Sequence, residues 1–131
     1  MCLLEKSDLS WKLGQRLERE GHINHSAHHA YYSILQLLKH IVLRANWATE
    51  YELDDHERGS THNQVINNVY SNLSGDLIAM NLLKRSFLRA KRVRVEADYG
   101  SEDITPARRQ SLNDSCIYVK EYCDEHLCQY Y

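Results

Sequence analysis

From Leu77 to Tyr99 the chain runs for 23 residues without a glycine or a proline, and Leu77, Met80, Leu83, Phe87, Ala90, Arg94 and Ala97 recur there at steps of three and four. That period predicts a helix with those residues on one face, about 35 Å long at roughly 1.5 Å per residue. A rod of that length carries an apolar stripe that only other elements can cover, so it constrains the rest of the chain. It is also the sharpest charge anomaly. Lys84, Arg85, Arg89, Lys91, Arg92 and Arg94 are six of the sixteen Lys and Arg residues, and no acidic residue lies among them. The stripe predicts packing against neighbouring helices; the cationic flank predicts something negative beside it.

The rest of the chain supplies those neighbours. Ser7 or Asp8 caps a first, short helix with Leu9, Leu13 and Leu17 on its apolar side and Gly21 as its stop. A second helix carries Ala27, Tyr31, Ile34, Leu38, Ile41 and Ala45, widened by Ala30, Leu35, Leu37 and Val42, a stripe broad enough for neighbours on more than one side. Glu50, Glu52, Asp54, Asp55 and Glu57 then make an acidic loop, read either as solvated or as folded over the cationic flank. Thr61 caps a third helix with Val65, Val69 and Leu73, and Asp76 caps the long one. Thr105 followed by Pro106 is a strong start signal for a last helix, buried through Leu112, Cys116, Val119, Cys123 and Leu127. With no alternating pattern longer than four residues, the fold class is all-α: an antiparallel up-and-down bundle of about five helices, residues 1–131 forming one domain.

Composition narrows function. A net charge of −2 over 131 residues argues against a broad nucleic-acid grip, which grows with the number of phosphates neutralised. Removing the six clustered positives leaves the remainder near −8, so charge is segregated. Apolar runs stop at three or four residues, so no membrane span is expected, and the start MCLLEKSD lacks the form of a signal peptide. Cys2, Cys116, Cys123 and Cys128 show no CxxC spacing and read as core-facing thiols of a reducing cytoplasm.

Four groups of residues invite chemistry. His22, His25 and His29 would share a helical face if the second helix began early, a spacing suited to a transition metal, but Gly21 sets His22 outside that helix and no metal is expected. The tyrosines, Tyr31, Tyr32 and Tyr99 among them, are either core rings or stacking platforms. Arg94 sits where the stripe should face the core, with Asp98 one turn on at the distance of an ion pair, either a structural pair that fixes the bundle or part of a ligand site. His62, beside the cap of the third helix, reads either as a polar neighbour of that cap or as a group at a helix start where anions bind.

Three segments carry a resemblance. Residues Gly21 to Ser33, with Ala27, Ala30, Tyr31 and Tyr32, resemble the opening of the second helix in HEPN domains, the higher-eukaryote and prokaryote nucleotide-binding family. Thr61-His62-Asn63-Gln64-Val65 is similar to the family's Lys/Thr-His-x-x-Val segment, and Arg94 to Gly100 resembles its Arg-x-x-x-Asp-Tyr ending. They occur in the family's order, and the resemblance covers about residues 5 to 128. The resemblance implies a helical bundle, frequently a homodimer, acting through a nucleotide or RNA or as partner of a minimal nucleotidyltransferase in toxin–antitoxin or defence modules. Some members are metal-independent ribonucleases using an Arg and a His with four to six residues between them. Here Arg16 to His22 and Arg19 to His25 have the spacing but straddle Gly21, Arg58 to His62 is too short, and about two such pairs arise by chance. A binding role without cofactor or catalytic residues is therefore expected, the alternatives being a metal-independent ribonuclease with a site shared across a dimer and a purely structural interaction protein. Its site would be Arg94, Asp98, Tyr99 and His62, rimmed by Arg85, Arg89 and Arg92.

Overall fold

The computed structural model describes residues 1–55, 57 and 59–131. Among the described residues the chain is helical throughout, with no strand: α1 (Leu3–Arg19), α2 (Ile23–Arg44), the single turn α3 (Glu50–Leu53), α4 (Thr61–Asn72), α5 (Leu77–Tyr99), α6 (Pro106–His126) and a closing 3-10 turn, Cys128–Tyr130. That is six α-helices instead of five, the extra one being a turn inside the acidic stretch. It forms because Thr49 and Glu52 cap each other, the Thr49 hydroxyl accepting from Glu52 N and the Glu52 carboxylate from Thr49 N. Glu50 in that turn pairs with Lys39 of α2 at 3.7 Å.

The centre is α2. Helices α1, α4, α5 and α6 all pack against it, and eleven of its 22 residues are buried, as a stripe with neighbours on several sides requires. Tyr31, Ile34, Leu38 and Ile41 of α2 meet Leu83 and Phe87 of α5 and Leu112, Cys116 and Val119 of α6 in one apolar core. The caps of the two long C-terminal helices follow the sequence: the Asp76 carboxylate accepts from Ile78 N and Ala79 N, and the Thr105 hydroxyl from Arg108 N, with Pro106 in the first turn.

The N-terminal end corrects the sequence reading. Helix α1 starts at Leu3, with Glu5 accepting from Cys2 N, and Ser7 is a buried interior residue rather than a cap. Leu9 and Leu13 face solvent; the face turned to α2 carries Ser7 and Gly14, flanked by Leu4 and Trp11. Small residues win because the two helices touch backbone to backbone. The Ser7 hydroxyl donates to the Ser33 carbonyl at 2.6 Å, and a Cβ on Gly14 would sit 3.1 Å from Ala30 N and 3.2 Å from Ser26 O. Other positions differ in smaller ways. Ser60, not Thr61, caps α4, while the Thr61 hydroxyl donates to Leu53 O. Leu77, in the cap turn of α5, is 60% exposed. Ala45 is the C-cap of α2, only partly buried. Cys116 and Cys123 are buried thiols, but Cys2 and Cys128 are exposed.

Arg109 is buried to 3% in the first turns of α6 and ties three helices together. Its Nε donates to Ser26 Oγ on α2 and lies 3.0 Å from the Glu18 carboxylate on α1, while Nη1 donates to Asn113. Burial lowers its pKa and Glu18 opposes that. A charge held this far from water stays ionised only because these groups replace its hydration.

Candidate functional site

Where the first turns of α2 lie beside the last turns of α5, a cavity of about 510 Å³ opens. Asn24 joins the two segments. Its Nδ2 donates to Ala97 O at the end of α5, and its Oδ1 accepts from Ile104 N in the connection that follows. That connection brings the α5 C-terminus under the histidines of α2, so His25, His28 and His29 face Arg94, Asp98 and Tyr99 across the cavity.

Arg94 is the centre of it. Its side chain is 12% exposed, Nε lies 2.8 Å from Asp98 Oδ2, and Nη2 donates to Tyr32 Oη at 3.1 Å. The guanidinium carbon sits 5.3 Å from the Tyr32 ring centre, 5.8 Å from Tyr31 and 5.9 Å from Tyr99, within the range where ring faces attract a cation. The contact with Asp98 is one of charge: no hydrogen bond to Nε has the right direction. Of the five N–H donors an arginine carries, the Tyr32 hydroxyl takes the one hydrogen bond formed among the described residues.

Asp98 has a second partner. His28 Nδ1 donates to Asp98 Oδ2 at 2.9 Å, so the carboxylate bridges an imidazole and a guanidinium. Because a carboxylate only accepts, the proton of a neutral His28 lies on Nδ1, leaving Nε2 with its lone pair. The His28 ring also stacks at a tilt on Tyr32, 4.5 Å between centres. Beside it, His29 has its pKa lowered by burial and by the neighbouring His28 and His25. Tyr99 stands at the mouth, 76% exposed.

His62 lies behind this layer, not in the cavity wall. Its Nδ1 is 2.7 Å from Tyr31 Oη, and the two rings are stacked with centres 5.5 Å apart. Burial, with Lys91 and Arg94 nearby, lowers its pKa to about 4, so at neutral pH it is uncharged. Burial also raises the Tyr31 pKa far above its usual value. Tyr31 therefore keeps its proton and donates it to Nδ1 of His62.

Comparisons with family models, curated proteins and solved structures give no match. What the site can do is therefore read from its own residues. Four of the seven expected residues, Arg94, Asp98, Tyr99 and His62, lie together or one ring apart. The other three do not join them: Arg85, Arg89 and Arg92 point roughly 180°, 140° and 160° around α5 from Arg94 at about 100° per residue. They form a separate cleft with Leu88, of about 280 Å³. The rest of the cationic run is engaged locally, Lys91 donating to Asn63 Oδ1 and Lys84 lying over the Tyr70 ring. Among the described residues no group of three or more His, Cys, Asp or Glu is arranged to hold a metal ion. Arg58, part of the shortest Arg to His spacing, lies outside the described residues.

The expected site did not include Asn24, His28 or Tyr32. The partners of His28 and Tyr32, Asp98 and Arg94, lie 70 and 62 residues onward, beyond any local pattern. Asn24 had a weak signal, a polar residue in the first turn of a helix otherwise read for its apolar face.

Proposed function

We propose that this chain is a HEPN-like binding protein that takes the phosphate and ring of a nucleotide, or the end of an RNA, in the cavity between α2 and α5. The observation that carries the reading is Arg94: a nearly buried guanidinium, oriented by Asp98 and Tyr32, with donors left over and an exposed aromatic ring beside it. Arginine recognises phosphate through its planar fork, and Tyr99 offers a face on which a base stacks. Within this reading the helices run as an antiparallel up-and-down bundle. The protein works in the cytoplasm as a homodimer, and its partner is a minimal nucleotidyltransferase in a toxin–antitoxin or defence module.

Melting in the presence of a panel of nucleoside mono-, di- and triphosphates tests it. A ligand at a hundred times its dissociation constant adds about 2.7 kcal/mol to stability, so at least one nucleotide raises the melting temperature of the wild type and leaves that of Arg94→Gln unmoved. No shift across the panel favours a purely structural interaction protein.

The second reading is a metal-independent ribonuclease with a site shared across a dimer, and one observation favours it. His28, held by Asp98 through Nδ1, stands next to Arg94 with Nε2 turned away from that contact, an arrangement suited to taking a hydroxyl proton beside a stabilised anion. Cleavage of labelled RNA that is lost in His28→Gln or His62→Gln would make that the better account.

A further inference from the structure

We propose that the outer face of α5 is a second anion site, a phosphate track for single-stranded nucleic acid built from Arg85, Arg89 and Arg92. The track goes beyond the cavity reading: its arginines lie on the side of the helix opposite Arg94, and it shares only Tyr99 with the cavity. Three observations carry it. The arginines follow one another at four and three residues, about 6 and 4.5 Å along the axis, so they form one row. All three are exposed, and none makes a hydrogen bond or ion pair among the described residues, whereas Lys84, Lys91 and Arg94 of the same run are each engaged. The next position along the row is Glu96, which would repel phosphate, but Arg108 at the start of α6 grips it through two bonds, at 2.6 and 3.1 Å.

Charge complementarity selects the occupant. Three exposed guanidiniums in a row, on a protein whose remaining residues sum to negative, match a flexible line of phosphates. An exposed aromatic beyond them adds the second half of a single-strand surface: Tyr99 follows Arg92 by seven residues, about 10 Å on, and stands between the row and the cavity. A strand laid along the row thus brings a base to the Tyr99 ring.

The test uses the full chain and a single-stranded RNA 12-mer, with a nucleoside monophosphate in parallel. Three neutralised phosphates at about 0.7 each give a slope of log affinity on log salt near −2, a loss of roughly 20-fold from about 50 to about 200 mM salt. Arg85→Gln/Arg89→Gln/Arg92→Gln is expected to melt like the wild type, to lose most of the 12-mer affinity at low salt and to flatten that slope. Its monophosphate binding is expected to be unchanged. Arg94→Gln does the reverse, so failure of the cavity reading and failure of the track are told apart. A wild type that does not bind the 12-mer, or a triple variant that keeps affinity and slope, overturns the track. So does a wild-type dimer dispersed by the same three substitutions without RNA, which would make this face a protein interface.

Discussion

The most informative single residue after Arg94 is His62, because its pKa of about 4 makes it a sensor of its own burial. Its folded value lies below the usual 6.5, so between those two pH values the unfolded chain binds the extra proton and stability falls as pH falls. A tenfold difference in proton affinity between the folded and unfolded chain corresponds to about 1.4 kcal/mol; with the ring only half-buried, about 2 kcal/mol is expected to disappear between pH 6.5 and 4. His62→Gln keeps an acceptor for the Tyr31 hydroxyl and does not titrate. Urea unfolding at pH 7 and pH 4.5 should therefore show the variant losing about 1.5 kcal/mol less than the wild type, and equal losses would place His62 in open solvent. Charged residues on an apolar stripe were the readable signal at this scale. Arg94 was found that way. Arg109 carries the same mark, three residues before Leu112 and seven before Cys116, but the buried stripe of α6 was begun one step too late. His28 and Tyr32 have no such mark, since what makes them matter is a partner on another helix.

At the scale of elements, α5 and α6 were legible to the cap because Asp76 and Thr105-Pro106 act locally. Helix α1 was read with the wrong face inward. The rule that large apolar residues turn inward holds where side chains fill the gap between helices; where backbones touch, the gap is too narrow for them and Ser7 and Gly14 take their place. Gly14→Ala tests this directly. Alanine gains about 1 kcal/mol of helix propensity over glycine, but its methyl would press on Ala30 N and Ser26 O, backbone atoms that move only with the whole of α2, at a cost of about 1–3 kcal/mol. A net loss of about 1 kcal/mol is expected from the urea midpoint. A gain would mean that α1 and α2 sit too far apart for their backbones to touch.

At the scale of the molecule, the all-helical fold follows from five periodic stretches and few breakers, and no helix among the described residues is long and apolar enough to cross a membrane. The charge segregation seen along the sequence becomes spatial in the fold. One cationic rod divides its charges between a cavity on one side, organised by α2, and a bare row on the other. That division was not readable from composition, because residues two apart on a helix point nearly opposite ways. The cavity beneath Tyr99 is the proposed seat of a nucleotide. Titrating the ¹⁵N-labelled chain with a nucleoside monophosphate and following its amide resonances tests it most directly. Saturable shifts are expected at Asn24, His28, Ala97, Asp98 and Tyr99 that vanish in Arg94→Gln; shifts confined to other surfaces, or none at all, would show that no nucleotide enters this cavity.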